Sequence, residues 1–493
     1  MFYVPLAKKR TLNREMPYGP GTFAIEASHK RWKPLPHLVL VIEFLIYLVQ
    51  GKLNRLMIFM PPRHGKSELI SKYFLSWYLG TFLEKRAILT SYGAGFAAKW
   101  GRETRDLLQT YGTDMFLSDV LIRNDSKASH KWDITDHKGG LITGGAGGPI
   151  MGEGANLFII DDPHKNPAEA SSPTYQAKIW EWYLNVALQR VERDLFDGMP
   201  GSMVYIAQRL DVMDLAGQIL KAEPHINASE ALQILRNGGS IPEDTWVVLN
   251  LPLLAEENDI LGRAKGEPLW PARVNKAKAL RLKKTMGTFR FNAVEQGDPQ
   301  DREGEMFKEK WFKKVKKQDI PLNKLDFLRY WDLAGTDHED NKQSAYTVGE
   351  LWGRERGMRP GFENYYLLNV IRKQLSPFKV KALVQRTAKA DGRNVRVVME
   401  QEGAQSGKFQ VAAYTEGLSG YVFRPDRVRM SKEMRAEHLE IKAEGGFIHV
   451  LDEYWTDDFV TELVKFPHGH WKDQVDAASG AIINLRPRAS VNV

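Results

Sequence analysis

Cysteine is missing altogether from this 493-residue chain. Disulfides and thiolate metal sites are therefore excluded, and any metal must be held by oxygen or imidazole. Long apolar runs are missing too, since none reaches the roughly 20 residues that a bilayer-spanning helix needs. The best run, Leu38 to Val49, is short and broken by Glu43, and it reads as a buried helix. The opening MFYVPLAKKR lacks the basic-then-apolar order of a secretory leader, so no export signal is expected. Internal repeats and low-complexity tracts are absent as well, which leaves an ordinary globular chain.

What is present starts with length and charge. A chain of 493 residues accommodates two or three domains. Its composition is 43% hydrophobic and 26% charged, and its formal charge of +8 favours polyanionic partners, although a mildly basic soluble protein would look the same.

Two blocks alternate strand-like and helix-like patterns, from about Arg55 to Leu254 and from about Leu325 to Asn484. In the first, strands are expected at Leu56–Met60, Arg86–Thr90, Leu157–Ile160, Ser202–Ala207 and Trp246–Asn250, with a helix over Ser67–Leu79. Strands separated by helices predict a mostly parallel α/β sheet. The second opens with three successive strands, Phe327–Trp331, Ala345–Trp352 and Tyr365–Ile371, then a helix at Pro377–Ala390 and a strand at Val395–Met399. That order is the one expected of a ribonuclease H-like core. The turn-rich QGDPQDREG marks a linker, and the basic helical stretch Lys276 to Met286 closes the first domain. The boundaries so drawn are 1–295 for the first domain, with 1–50 a helical lead-in and 255–295 a closing subdomain, then linker 296–308 and second domain 309–493.

The segment Met60-Pro-Pro-Arg-His-Gly-Lys-Ser67 stands between a strand and a helix, the setting a phosphate-binding loop requires. Backbone N–H groups from Pro62, Arg63, His64, Gly65, Lys66, Ser67 and Glu68, excepting the proline, would face phosphate at a helix start. Lys66 is placed to reach the β- and γ-phosphates, Ser67 to put a hydroxyl on Mg²⁺, and Arg63 to stabilise charge on the transferred group. Met60 replaces the usual first glycine. Downstream, LFIIDDP is an apolar strand ending in two carboxylates, where α/β sheets bind ligands. Asp161 would hold Mg²⁺, and Asp162 would orient or deprotonate the attacking water. In YIAQRL, Gln208 and Arg209 either respond to the γ-phosphate or merely cap a strand.

In the second block Asp332 follows the strand FLRYW, Glu400 follows VRVVM, and Asp473 begins the helical KDQVDAASGAI. Hard divalent cations want oxygen ligands, and two metals bridged by carboxylates can cleave a phosphodiester. Asp476, one turn after Asp473, is a possible fourth ligand, and Glu402 competes with Glu400. The basic stretch KEKWFKKVKK, residues 308 to 317, reads as a solvated face or a DNA-tracking surface.

In order along residues 30 to 485, the segments PPRHGKSE, LFIIDDP, QRLDVMDLAG, EPLWPARV, TMGTFRFNAVEQ, YWDLAGT, MEQEGAQSG and FPHGHWKDQVDAASGAI resemble the successive signatures of tailed-phage terminase large subunits. The resemblance implies an additional-strand P-loop ATPase followed by a ribonuclease H-like nuclease. It also implies ATP-powered translocation of double-stranded DNA through a portal protein into a procapsid, and endonucleolytic cutting of concatemers. Lys66, Ser67 and Arg63 match the Walker A lysine, hydroxyl and arginine, Asp161 the Walker B aspartate, and Asp332, Glu400 and Asp473 the nuclease acids. The cofactors implied are ATP with Mg²⁺, and Mg²⁺ or Mn²⁺ as an ion pair in the nuclease. A small terminase subunit, a ring of about five copies and action in the host bacterial cytoplasm, outside the mature virion, are implied likewise.

This chain departs from the family pattern at three places. Asp162 stands where a glutamate is common, with Glu169 as a substitute. Ala345-Tyr346-Thr347 replaces Asp-Tyr-Ser, and Lys472 stands where an aspartate often precedes Asp473. Two other readings compete: an ATP-dependent translocase or helicase unlinked to capsids, which strand displacement would reveal, and a DNA-binding assembly protein with a decayed nuclease half.

Overall fold

The computed structural model describes residues 19–116, 118–150, 152, 154–300, 306–333, 346–401, 404–428 and 430–486. The chain forms two compact units. The first comprises the chain up to Leu282 with Phe289–Asp301, and the second Lys283–Thr288 with the chain from Arg302 on.

The first unit is built on nine strands: β1 (Arg55–Phe59), β2 (Arg86–Ser91), β3 (Ile122–Lys127), β4 (Lys131–Ile134), β5 (Gly140–Gly145), β6 (Leu157–Asp161), β7 (Ser202–Ala207), β8 (His225–Asn227) and β9 (Trp246–Asn250). They lie in one sheet in the order β3-β4-β5-β2-β6-β7-β1-β9-β8. From β5 to β8 all neighbours are parallel, while β3 and β4 pair antiparallel at one edge. The central strands β1, β6 and β7 are buried along their whole length, which is why they read as unbroken apolar runs. β7 separates β1 from β6, so the loop after β1 and the acids after β6 are two strands apart. That is the additional-strand arrangement.

The helix expected at Ser67–Leu79 takes a different form. Glu68–Phe74 is a π-helix, continued by an α-helix at Leu75–Thr81. Leu38–Val49 lies in the helix Pro36–Val49, started by a proline at its first position and burying Leu38, Val41, Phe44, Leu45 and Leu48.

The second unit holds β10 (Lys313–Val315), β11 (Leu325–Asp332), β12 (Thr347–Glu355), β13 (Tyr365–Lys373), β14 (Arg396–Gln401), β15 (Phe423–Arg427) and β16 (Ile448–Leu451). Their order is β10-β16-β13-β12-β11-β14-β15. β11, β12 and β13 form an antiparallel meander, and β14 and β15 add parallel to β11. This order, third-second-first-fourth-fifth, is the ribonuclease H-like pattern read from the sequence. Ala345, expected in the second strand of the meander, lies outside the described residues, as does Glu402.

The helix Asp473–Asn484 packs on the meander through Ala477, Ala478 and Ala481, all fully buried. A Cβ at Gly480 would enter the Tyr330 ring, so only glycine lets this helix lie so near β11. The basic stretch 308–317 contributes β10, an edge strand paired with β16, and Lys314 Nζ there is 2.6 Å from Asp457. The helix Lys276–Met286 does not simply close the first unit. Its end belongs to the second, where Lys284 lies over the Phe447 ring at 4.7 Å and the Thr288 N–H donates to Glu444 at 2.8 Å.

Candidate functional site

The first candidate centre forms where β1 and β6 end. The loop after β1 makes two left-handed turns, at Arg63 (φ 61) and Gly65 (φ 96). At φ 96 Gly65 holds a conformation that side chains rarely adopt, and a Cβ there would crowd the Leu38 side chain at 3.2 Å. The loop is held from behind. The His64 carbonyl is 3.0 Å from His37 Nε2, and the Trp270 ring lies 6.2 Å from both imidazoles. Burial lowers the His37 pKa to about 4, so the ring is neutral and its Nε2–H donates to that carbonyl.

Asp161 ends β6 fully buried, with both oxygens accepting hydroxyl bonds: Ser67 Oγ at 2.9 Å and Ser71 Oγ at 2.7 Å. Burial, then the charge of Asp162, raises its pKa to about 7 against the pull of Lys66. Lys66 Nζ rests 2.8 Å from Asp162 Oδ2, while the Gln208 N–H donates to Asp162 Oδ1 at 3.1 Å. Lys66, Ser67, Asp161, Asp162 and the Gln208 backbone therefore converge. Arg63 and Glu68 are exposed beside them.

Arg209 is turned elsewhere. Its Nε donates to both oxygens of Asp214 at 3.0 Å, and its Nη2 to the Asp211 and Val212 carbonyls. Glu169, a substitute for the catalytic acid, sits at the start of the helix Pro167–Ala170. Its N–H bonds to Asn166 and its carboxylate accepts the Lys165 N–H at 3.2 Å. A cavity of about 390 Å³ opens beside Gly65, lined by Trp32, Tyr73, Trp270, Arg31 and Lys72 among others.

The second candidate centre lies at the ends of β11 and β14. Trp331 pairs with Met399 across this parallel ladder, so Asp332 and Glu400 follow side by side. The helix Asp473–Asn484 brings Asp473 and Asp476 to the same place. Asp332 is driven well above the ordinary carboxylate range by burial, then by the charges of Asp476, Glu400 and Asp473. Asp473 Oδ2 accepts the Tyr346 N–H at 2.9 Å. Lys472 points away, its ammonium over the Phe466 ring at 6.0 Å.

These four acids are neighbours, yet among the described residues no three His, Asp or Glu side chains stand as a ready-made metal cage. Two of them are turned onto cations of the helix Lys432–Glu444 instead. Lys432 Nζ bonds Asp476 Oδ2, and Arg435 Nη1 donates to Glu400 Oε2 at 2.7 Å. Arg435 Nη2 also donates to Tyr330 Oη, which donates to Asp426. Among the described residues, Asp476 Oδ1 is buried without a hydrogen-bond partner. An all-oxygen set with an orphaned buried oxygen suits a hard divalent cation.

Sequence reading missed Ser71, His37 and Trp270 around the first centre, and Lys432 and Arg435 around the second. Only Ser71, four residues after Ser67 in one helix, had a local signal. The cations come from a segment 32 and 35 residues beyond Glu400, and nothing in the sequence order ties them to it.

No protein-family model matches the chain, and no curated protein does. Solved structures similar to it include the large terminase of a thermophilic bacteriophage in complex with ADP, at 13% identity and a TM-score of 0.41, covering 87% of this chain and 93% of that one. The large terminase of bacteriophage HK97 is similar at 10% identity and a TM-score of 0.35, covering 92% and 95%. The large terminase nuclease of thermophilic phage G20c with bound magnesium is similar at 13% identity and a TM-score of 0.28, covering 37% of this chain and 98% of that one.

Proposed function

We propose that this chain is the large terminase subunit of a tailed bacteriophage: an ATPase that drives double-stranded DNA through the portal into the procapsid, and a metal-dependent endonuclease that cuts concatemeric DNA. One observation carries the reading. A single chain holds two separate acid centres, one facing a lysine-bearing loop at the end of β1, the other at the paired ends of β11 and β14.

In the first unit the N–H groups around Gly65 and the Lys66 ammonium would take the β- and γ-phosphates of ATP. The Ser67 hydroxyl and Asp161 would hold the accompanying Mg²⁺, which supplies charge neutralisation on the phosphates. Ser71 fixes the second Asp161 oxygen. Asp162 keeps Oδ1 on the Gln208 N–H and Oδ2 on Lys66. With Lys66 engaged by the phosphates, Asp162 Oδ2 would be free to accept a proton from water. The aromatic cavity beside Gly65 suits a purine ring.

In the second unit Asp332, Glu400, Asp473 and Asp476 would hold Mg²⁺ or Mn²⁺, which supply a nucleophile at neutral pH and charge for the leaving oxygen. Arg435 positions Glu400, and the Tyr346 N–H positions Asp473. A ring of copies on the portal, a small terminase subunit and action in the host cytoplasm complete the reading.

Paired substitutions test it. Lys66→Ala should abolish DNA-stimulated phosphate release while Mn²⁺-dependent plasmid cutting persists, and Asp332→Ala should do the reverse. Cutting by Asp332→Ala at the wild-type rate would overturn the nuclease assignment, and ATP-driven strand displacement would favour a helicase.

A further inference from the structure

Lys432 and Arg435 both meet the acids of the second centre, but in opposite settings. The Arg435 side chain is 3% exposed and bound at both ends, to Glu400 and to Tyr330. Tyr330 is in turn tied to Asp426, which also accepts from Asn484 at 2.9 Å. A guanidinium so enclosed is part of the framework. The Lys432 side chain is 56% exposed while its partner Asp476 is 3% exposed. Its ammonium reaches a buried acid from the solvent side on a flexible stem, at the start of its helix, and among the described residues only Asp476 is bonded to it.

The two oxygens of Asp476 complete the picture. Oδ2 takes Lys432, and among the described residues Oδ1 is buried without a partner. A buried carboxylate with one oxygen unsatisfied is costly until a donor or a further positive group meets it. Lys432 also supplies the only favourable charge among the main influences on Asp332, against three carboxylates.

We propose that Lys432 is a resident counter-cation of the second centre, a positioning residue that keeps Asp476 and Asp332 together in the metal-free protein and must swing off Asp476 before a divalent cation binds. The proposal rests on the nuclease reading and adds a regulatory step to it. Cation entry is an exchange of one positive group for another, so the acids neither repel one another apart nor bind metal tightly. Removing the competitor should therefore strengthen metal binding, the opposite of what removing a ligand or a catalytic lysine would do.

The test uses the full chain, stripped of metal and free of nucleotide. Mn²⁺ binding is measured by titration calorimetry for wild type, Lys432→Met, Lys432→Arg and Asp332→Asn, and heat lost in Asp332→Asn is assigned to this centre. Lys432→Met should bind Mn²⁺ roughly five- to tenfold more tightly than wild type, the equivalent of one partly exposed charge pair, and Lys432→Arg no more tightly. Unchanged or weaker binding by Lys432→Met overturns the proposal. A second measurement needs no variant: acetylation of Lys432 by acetic anhydride, followed by mass spectrometry, should accelerate severalfold when Mn²⁺ is added. An unchanged rate overturns the proposal while leaving the nuclease reading standing. If neither wild type nor Lys432→Met shows binding that Asp332→Asn removes, the nuclease reading itself falls.

Discussion

The two acid centres solve the same electrostatic problem in mirrored ways. At the first, the cation is buried and the acid it meets is partly open: the Lys66 side chain is 7% exposed and Asp162 25%. At the second, the acid is buried and the cation open, with Lys432 at 56% and Asp476 at 3%. The difference follows from where each cation comes from. Lys66 belongs to the loop that forms its own pocket, so it stays within the site whether it faces Asp162 or a phosphate. Lys432 comes from a separate helix, so it can leave. A phosphate ligand needs a lysine that remains, and a metal ligand needs one that withdraws.

The largest effects should separate the centres outright. Lys66→Ala is expected to lower ATP hydrolysis roughly 10³-fold, measured by phosphate release, with Mn²⁺-dependent cutting retained. Asp332→Ala should invert that pattern, and parallel losses in both assays would erase the distinction between the units. Next comes the enclosed cation. Arg435→Met leaves Glu400 and Tyr330 without their shared donor and should cost about 3 kcal/mol in the unfolding of the second unit, read by denaturant titration. A cost below about 1 kcal/mol would mean that Arg435 is as loosely held as Lys432.

A pH experiment sharpens the comparison further. The Asp161 carboxyl, raised to about 7 by burial and by Asp162, binds its proton more tightly folded than unfolded. Its contribution to stability is thus present at low pH and lost as pH rises from the ordinary carboxylate value through about 7. Asp161→Asn removes the titration, so its melting temperature should exceed that of the nucleotide-free wild type most at and above about pH 7, with the gap closing on acidification. A constant gap would count against the buried charge as its source. The smallest effect is expected from Ser71→Ala, about 1 kcal/mol, with a weaker Mg²⁺ dependence of ATP hydrolysis. Ser71 donates to only one of the Asp161 oxygens.

The backbone of this architecture was legible because its central strands announce themselves. β1, β6 and β7 are buried along their length, mostly apolar, and lead into the GKS, DDP and QRL segments, so strand, turn and chemistry fall close together. Two strands were not legible: the edge strand β3 (IRNDSK) is polar, and β5 (GLITGG), between β4 and β2, is rich in glycine, so each is a strand only because neighbours offer a ladder. The π-helix was read only as a helix because its apolar spacing serves either register over one or two turns. At the sites, the acids were found from their position after apolar runs. Their cationic partners were not, since Lys432 and Arg435 reach them through tertiary packing, which leaves no periodic trace. Arg209, a candidate for the γ-phosphate alongside Gln208, bonds Asp214, a partner five positions away.

The bare backbone of Gly480 acts as a shim. It sets how far the helix carrying Asp473 and Asp476 stands off the strand carrying Asp332, because any side chain there would meet the Tyr330 ring. Ligand distances to a divalent ion tolerate only about 0.2 Å of error, and a single added methyl would lift the helix by several times that. The atom that is missing from residue 480 thus helps gauge the gap in which the chemistry would take place, without touching any of the participants.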